Sequence, residues 1–298
     1  MRVWLEDTEV TGLCTRVTVD REVTAAGAEA QVTLVCAPMD SRLPRLDPAC
    51  GQWVRVRQAE ELLFTGRVEQ VRYDAARLAL TLLCFDPASL LAKNHCRGPY
   101  SGTPAQITRQ LCALCGLEPG DIWEDDGQTV QLGAAFGRNC YRAIHNLYHD
   151  RCTVEYRNGQ VHVYPLGAEE TVLSGGQLVG LTACNSGQEA VNRVRVYSQG
   201  QLAAQYTDEE SLLRLGPRSR DEHRSEDYPS AAEQAKAGIR GESRQARLTV
   251  AGRSPVKCGQ LVTLDRPLMG VYGTYLVKQV TWICEKGLIT TELGVESL

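Results

Sequence analysis

The sequence of residues 52–58 is Gln52-Trp53-Val54-Arg55-Val56-Arg57-Gln58. It places both valines on one face of an extended chain and the tryptophan and arginines on the other, as in a half-buried β-strand. The same alternation occurs in the flanking runs Thr15–Val19, Gln31–Val35, Leu62–Tyr73 and Arg77–Phe85. Turn residues separate these runs about every ten positions, a spacing typical of barrels and sandwiches. We therefore expect a first β-barrel domain over residues 1–97.

The next segment, residues 98–167, changes to a helical period. Thr103-Pro104 combines a helix cap with a proline at the first helical position, and predicts a helix over Ala105–Cys115. A second helix is expected to begin at Asn139, with apolar residues repeating as far as position 152. Asn158-Gly159 joins two alternating runs and predicts a β-hairpin. The sequence thus indicates an α+β middle domain.

The last segment, residues 168–298, returns to strands. The strand-like runs are Val191–Tyr197, Gln201–Tyr206, Arg244–Val250, Gln260–Leu264, Thr274–Ile283 and Leu288–Val295. Two short helices are expected at Asp208–Leu215 and Ser230–Ile239. Between them, Pro217–Asp227 carries many charges of both signs, which favours a solvated loop, with a loop that contacts a partner as the functional alternative. We expect a second β-barrel domain with a helical insertion near 208–242.

Composition narrows the function classes. The chain has 298 residues, 12 cysteines and a formal net charge of −4. Such a length predicts two or three domains, and the acidic balance offers no basic footprint for nucleic acid and no polybasic membrane anchor. The charged start Met1–Val10 is wrong for a signal peptide, so we expect assembly in a cytoplasm. Cysteines in apolar runs, such as Cys36, Cys84 and Cys284, are then expected to be small hydrophobes rather than disulfide partners.

Catalytic motifs are absent from the sequence. It contains no Walker loop, dinucleotide fingerprint, nucleophile elbow or H-E-x-x-H helix. The adjacent carboxylates Glu124, Asp125 and Asp126 lie in the polar run Glu118–Gly127, which is expected to form a solvated turn. We therefore expect no enzyme, no catalytic residue and no cofactor.

One set of residues has metal-ligand chemistry. Cys112-x-x-Cys115 and His145-x-x-x-His149 supply two thiols and two imidazoles, with the histidines one helical turn apart, a set that could bind zinc. The gap between the two pairs is about twice the 12–15 residues of a finger motif. The alternative makes the cysteines core residues and the histidines ordinary helix-surface residues. The remaining histidines, His95, His162 and His223, are isolated and are expected at the surface or in turns.

The C-terminal runs resemble a known family. Val256–Leu264 resembles its "pGd-V-v" strand, Gly273–Val277 followed by Val280–Trp282 resembles its "G-x-y-x-V-xx-V-x-h" strand, and Gly287–Leu293 resembles its closing "G-x-x-T-x-L" strand. The family is that of the baseplate (tail) hub proteins of phages and phage-like contractile particles, with the PBSX-type XkdQ/YqbQ tail proteins as the nearest branch and the late control protein D hubs more distant.

Further stretches carry the same resemblance in the same order. Asn192–Tyr197 is similar to the "N-x-V-x-V" strand, and Asp208–Gly216 to the "D-xx-S-I-xx-y-G" helix, although Leu215 stands where an aromatic residue is usual. In the family a charged strand and a helix follow, here up to Ala231–Ile239. Gly66–Val68 with Phe85-Asp86, and Tyr100–Ile107, are similar to the "G-x-V … D" pattern and to the start of the middle domain.

The resemblance implies a structural role. Hubs of this family carry two similar β-barrels per chain, and three chains form a ring that joins a hexameric tail tube to a trimeric central spike. It implies a homotrimer in the virion tail, with the tube protein, the spike protein and baseplate wedge or LysM-type proteins as partners. It implies no sequence-specific nucleic acid and no membrane insertion. The mild acidity suits a channel that repels phosphate.

Two alternatives belong to other classes of protein. A tail-tip peptidoglycan hydrolase would need a catalytic group that the sequence does not offer. A carbohydrate-binding module would need clustered exposed aromatic residues, whereas Trp4, Trp53 and Trp282 lie in strand-like runs.

Overall fold

The computed structural model describes residues 1–37, 39–125, 127–133, 138–225, 228, 230–241, 243–268 and 271–297, without the side chains at 175, 243, 265–268 and 272. In the N-terminal part the strands are β1 (Arg2–Leu5), β2 (Thr8–Glu9), β3 (Cys14–Glu22), β4 (Glu29–Val35), β5 (Trp53–Gln58), β6 (Glu61–Asp74) and β7 (Ala79–Phe85). The middle part contains α1 (Leu90–Lys93), β8 (Tyr100–Gly102), α2 (Pro104–Leu114), β9 (Glu118–Ile122), β10 (Val130–Leu132), α3 (Cys140–Leu147), β11 (Cys152–Arg157) and β12 (Gln160–Pro165).

The C-terminal part is again rich in strands. Its elements are β13 (Glu170–Leu173), β14 (Leu178–Ser186), β15 (Arg193–Ser198), β16 (Gln201–Thr207), α4 (Glu209–Leu215), β17 (Ser219–His223), α5 (Ala231–Ala237), β18 (Ser243–Ala251), β19 (Leu261–Leu268), β20 (Val271–Glu285) and β21 (Leu288–Ser297). Single 3₁₀ turns occupy Thr11–Leu13, Pro87–Ser89 and Gly175–Gln177.

One large sheet joins the two ends of the chain. Its strand order is β14-β18-β21-β20-β3-β4-β7-β6-β5-β1-β2, and β19 pairs with both β20 and β13. Strands β3 and β20 pair antiparallel from Gln279↔Glu22 to Glu285↔Arg16, so N-terminal and C-terminal strands are direct neighbours. The inward positions are apolar as the alternation predicts, and Val19, Val32, Val54, Val56 and Leu80 are fully buried.

The α+β middle part has its own core. Helix α2 begins with a complete capping box between Thr103 and Gln106, as Thr103-Pro104 predicts. The hairpin β11–β12 pairs from Cys152↔Pro165 to Arg157↔Gln160 across the predicted Asn158-Gly159 turn. Ile107, Leu111, Ile144, Tyr148 and Val161, each fully buried, belong to the apolar core cluster of these elements.

The expectation of a turn over Glu118–Gly127 is wrong for its first half. Strand β9 occupies Glu118–Ile122 and pairs parallel with β12. Pro119 and Gly120 resemble a turn signal, but proline is tolerated on an edge strand. Packing requires glycine at position 120, because a Cβ there would lie 2.5 Å from Cε1 of His162.

Helix α3 is shorter than the sequence pattern suggests. Asn139 caps it by accepting a hydrogen bond from the Arg142 backbone N–H at 2.7 Å, as predicted. The helix ends at Leu147, and His149 and Asp150 follow with φ of +53° and +57°. These left-handed residues stop the helix, so Cys152 starts β11 instead of continuing the helical face.

The chain forms two compact units. The first holds residues 1–181 and 247–296, and the second holds residues 182–246 and 297. The division into domains at 1–97, 98–167 and 168–298 stays a prediction. Within the described residues, no helix is both long enough and apolar enough to cross a membrane.

The second unit contains a three-stranded sheet of order β16-β15-β17. Helix α5 packs on it through Ala235 against Val194 and Val196. The prediction that Pro217–Asp227 is a solvated loop is wrong for Ser219–His223, which form β17 parallel to β15. The strand is nevertheless solvated, since residues 219–221 and 223 are exposed, and Arg195 Nε lies 3.0 Å from Asp221 Oδ1. Glu226 and Asp227 lie outside the described residues.

Candidate functional site

A cleft of about 520 Å³ lies within the first unit. Its walls come from β3 and β20 of the large sheet, from the β11–β12 hairpin and from the loop 253–260. Side chains of its lining that can carry charge or donate hydrogen bonds include Arg21, Glu61, Asp86, Glu155, Arg157, Lys257 and Trp282. These residues come from both ends and from the middle of the sequence.

Two arginines flank the Trp282 ring. The Arg21 and Arg253 guanidinium carbons lie 5.6 and 5.7 Å from the ring centroid. Val19 lies opposite Trp282 in the β3–β20 ladder. Arg21 is two residues further along β3, so it is the diagonal neighbour of Trp282 on the same face. The attraction of a cation to the face of tryptophan holds both guanidinium groups in place.

Each of these arginines is also paired with a carboxylate. Arg21 Nη1 donates to Glu155 on the hairpin, and Arg253 donates through two nitrogens to Glu61 at the start of β6. The Arg21 pair is shielded, with side chains 20% and 15% exposed. Because both side chains are largely removed from water, losing one partner would leave the other charge poorly hydrated.

Asp86 forms a buried part of the lining. Its carboxylate accepts hydrogen bonds from the backbone N–H groups of Ala28 at 2.8 Å and Ala88 at 3.0 Å, and caps the turn Pro87–Ser89. Burial raises the pKa of this carboxyl to about 7, although the backbone donors and the Arg21 charge oppose that rise. The fit is tight, since a Cβ on Gly27 would lie 2.2 Å from Asp86 Oδ1.

Four N–H donors of the lining have no acceptor among the described residues. They are Nε of Arg21, Arg157 and Arg253, and Nε1 of Trp282. Trp282 is 6% exposed, so its indole N–H lacks the water that would satisfy it at the surface. In contrast, no buried side-chain oxygen of the described lining lacks a partner.

The four zinc candidates do not form one cluster. Among the described residues, no three or more His, Cys, Asp or Glu side chains come together in a way that could hold a metal ion. Cys112 is fully buried in the core of the middle part, and burial raises the pKa of its thiol to about 12. A hydrogen bond from Cys140 lowers the pKa of Cys115. All 12 cysteines lie within the described residues, and all are free thiols.

The two candidate histidines have different environments. His145 is 5% exposed, so the interpretation of it as a helix-surface residue is wrong. Its Nδ1 lies 3.4 Å from Asp150 Oδ1, and burial lowers its pKa. His149 lies beyond the end of α3 with positive φ, so the two histidines do not share a helical face.

Among the isolated histidines, His162 departs from expectation. It is 5% exposed on β12 and accepts a hydrogen bond from the Asp121 backbone N–H at 3.0 Å through Nδ1. His95 and His223 are exposed, as predicted. The carboxylates Glu124 and Asp125 pair with Arg109 at 2.6 Å and Arg151 at 3.8 Å, while Asp126 lies outside the described residues.

An apolar tip projects from the large sheet. Tyr73 and Leu78, at the turn between β6 and β7, are 57% and 51% exposed, and Met39 in the loop after β4 is 98% exposed. The Cys36 backbone N–H donates to Leu78 O at 2.7 Å, which ties the start of that loop to the turn.

Sequence reasoning did not find the cleft. Arg21, Glu155, Arg253 and Trp282 are far apart in the chain, and each lies in a run explained by alternation or turns. No local motif marks them, because they meet only in the folded chain. The family resemblance did not mark them either, because it implies two similar barrels at 1–97 and 168–298 and no pairing between their strands.

Comparison with known proteins finds solved structures with a similar fold but no similar sequence among family models and curated proteins. No protein-family model matches the chain, and no curated protein matches it significantly. The 43 kDa tail protein of prophage MuSo2 from Shewanella oneidensis is similar, with a TM-score of 0.77 and 16% identity over 99% of this chain and 96% of that one. A tail protein from Neisseria meningitidis MC58 gives a TM-score of 0.75 and 13% identity over 99% and 95%.

A third structure comes from a secretion system. The Escherichia coli c3393 protein, described as a type VI secretion component similar to the T4 bacteriophage tail proteins gp27 and gp5, gives a TM-score of 0.60 and 9% identity over 99% of this chain and 76% of that one. At these identities the likeness shows the fold. The predicted class, mainly β with an α+β insertion in a phage tail hub-like architecture, is confirmed.

Proposed function

We propose that this chain is a structural hub of the tail of a phage or phage-like contractile injection particle. One observation carries the proposal: the likeness to phage tail proteins extends over 99% of this chain and 95% or more of theirs. A likeness that covers both chains almost completely supports a shared architectural role. A likeness limited to one domain would support it less. The proposed place is the baseplate of the virion tail, after assembly in the host cytoplasm.

The proposed mechanism is symmetry matching. Two related barrels in each of three chains give six similar positions around an axis, which match a hexameric tail tube, while the threefold axis matches a trimeric spike. Such a homotrimer is held by large obligate interfaces instead of a small site. The proposed partners are the tube protein, the central spike protein, and baseplate wedge or LysM-type proteins.

The apolar tip formed by Met39, Tyr73 and Leu78 is a candidate contact in this assembly. A neighbouring chain that covers these exposed side chains would stabilise the assembly, because each square ångström of apolar surface removed from water contributes about 25 cal/mol. The net charge of −4 also suits a bore that DNA or an effector passes without adhering.

The tryptophan environments favour this role over carbohydrate binding. Sugar recognition uses exposed aromatic faces, but Arg21 and Arg253 cover Trp282, Arg67 lies 4.4 Å from the Trp53 ring centroid, and Trp123 stacks on Tyr148 at 5.2 Å. These rings serve packing inside the chain. A hub is expected to bind tail proteins and neither digest nor adhere to cell walls.

Sedimentation velocity tests the proposal. One chain has a mass of 32.8 kDa, so a trimer sediments as a species of about 98 kDa. The chain is measured alone and with the spike protein of the same particle, because assembly can require a partner. The proposal predicts three chains per complex with the spike. A chain that binds no tail protein but pellets with purified cell walls contradicts it, as does release of cell-wall fragments.

A further inference from the structure

Four arginines share the outer face of strands β1, β5 and β6, opposite the buried valines of β5. Arg2 lies directly opposite Arg57 in the β1–β5 ladder, and both side chains are exposed. Arg55 lies two residues before Arg57 on the same face, and Arg67 on β6 lies opposite Trp53 on that face. We call this set the arginine face. It is a local concentration of positive charge on a chain whose formal net charge is −4.

The chain supplies little negative charge to balance the arginine face. Among the described residues, the side chains of Arg2 and Arg57 have no hydrogen bond and no ion pair, and Arg67 has no carboxylate partner. Arg55 Nη2 lies 3.2 Å from Asp7 Oδ1, but this aspartate is fully exposed. Directly opposite residues of an antiparallel pair have Cβ atoms about 4.5–5.5 Å apart, and like charges there are destabilising. The Arg2–Arg57 juxtaposition is therefore unfavourable until an anion lies between the two groups.

We infer that the arginine face binds an extended acidic segment of a partner protein. Guanidinium groups donate paired hydrogen bonds to carboxylates, which suits aspartate and glutamate side chains. The spacing suits an extended segment, because Arg55 and Arg57 are about 7 Å apart along β5, which is also the distance between alternate side chains of an extended partner. This inference goes beyond the proposed tail role and is tested on the isolated chain.

Acidic residues at the same edge favour a protein segment over nucleic acid. Asp7 and Glu9 are exposed, and Glu9 lies opposite Trp4 in the β1–β2 ladder. A nucleic-acid strand carries a charge on every phosphate, so it would bring phosphates against these carboxylates as well as against the arginines. A peptide can place neutral residues beside the carboxylates and acidic residues only beside the arginines. The net charge of the chain also repels a long polyanion.

Isothermal titration calorimetry at low ionic strength tests the inference. The probe is a twelve-residue peptide of alternating glutamate and glycine. The comparison probes are the same peptide with lysine in place of glutamate, and a single-stranded oligothymidine of twelve nucleotides. We expect the acidic peptide to bind and to lose affinity as salt is added, the basic peptide not to bind, and the oligothymidine to bind more weakly than the acidic peptide.

A double variant separates binding from a structural role. Arg2→Gln with Arg57→Gln is expected to raise the dissociation constant of the acidic peptide about tenfold, because two exposed charged contacts are lost. Its urea midpoint is expected to equal or exceed that of wild type, because the opposed like charges are removed as well. A purely structural role of these arginines would lower the midpoint and leave the affinity unchanged.

Arg77→Gln with Arg97→Gln is the matched control. It removes the same charge at two exposed positions outside the arginine face, and is expected to leave the affinity unchanged. The inference would be overturned by no binding of the acidic peptide, by tighter binding of oligothymidine, or by equal losses of affinity in the two double variants. If Arg2→Gln with Arg57→Gln does not fold, Arg57→Gln replaces it, and there an affinity equal to wild type contradicts the role of the opposed pair.

Discussion

Asp86 gives the chain a specific pH dependence. Its side chain is 3% exposed, and burial raises its pKa from 3.8 to about 7. Between these values the folded chain retains a proton that the unfolded chain has released. The free energy of unfolding therefore falls as pH rises through this window, and the contribution is fully present below about pH 4 and lost above about pH 7.

The magnitude follows from the size of the shift. Each pKa unit corresponds to about 1.4 kcal/mol, so the window of about three units represents up to about 4 kcal/mol. In Asp86→Asn the residue is neutral at every pH and contributes no such slope. The stability of wild type relative to this variant is expected to fall by about 2 kcal/mol between pH 5 and pH 7, because the group is half titrated at the upper end of this range.

Urea denaturation at pH 5, 6 and 7 measures this difference. Asp86→Asn also presents an amide group where backbone N–H groups donate, so its absolute stability is lower, and only the change with pH is diagnostic. Asp47→Asn, at an exposed position, is the control and is expected to keep the wild-type profile. Parallel profiles for wild type and Asp86→Asn would refute the reasoning, as would a relative gain of wild type toward pH 7.

Three further predictions concern stability, each measured by urea or thermal unfolding. Gly27→Ala is expected to lower the unfolding free energy by about 1–3 kcal/mol, because its Cβ would lie 2.2 Å from a carboxylate oxygen. Gly12→Ala is the control and should be neutral, because its Cβ would meet no atom within 4 Å. Equal effects of the two substitutions would contradict this prediction. Leu82→Ala, 1% exposed, is expected to cost about 2–5 kcal/mol, and Leu78→Ala, 51% exposed, less than about 0.5 kcal/mol. Thr103→Ala removes half of a capping box and should cost about 1 kcal/mol, so an unchanged midpoint would argue against the cap.

Most strands could be predicted because alternation is a strong local signal. The run at 52–58 forms β5 with Val54 and Val56 fully buried, as its pattern requires. The Asn158-Gly159 hairpin and the Thr103 cap are also local features, in which a few adjacent residues determine the backbone. Local signals of this kind do not depend on the rest of the fold.

The wrong predictions concern elements whose structure depends on residues far away in the sequence. Strands β9 and β17 carry Pro119-Gly120 and a charged run, compositions shared by turns and edge strands, and only their parallel partners β12 and β15 decide between the two. The end of α3 depends on left-handed residues at His149 and Asp150. Histidine and aspartate adopt this conformation more often than most residues do, but too seldom for their presence to predict it. The expectation that His145 and His149 share one helical face is wrong at the same place, because His149 lies beyond the end of α3.

The cleft could not be predicted for a related reason. Arg21 and Trp282 become neighbours only because β3 pairs with β20, a contact between residues that are more than 250 positions apart. Sequence patterns give the face of each strand but not the order of strands in a sheet. The family resemblance supplied the architecture, and the side chains inside it required the structure.

The most direct test of the central claim is a cryo-electron microscopy map of intact tails that contain this chain. We expect three copies in a ring where the tube meets the spike, with residues 1–97 and 168–298 of each chain supplying the six positions that face the tube. Another copy number, or density for the chain away from the junction between tube and spike, would show that the chain is not the proposed hub.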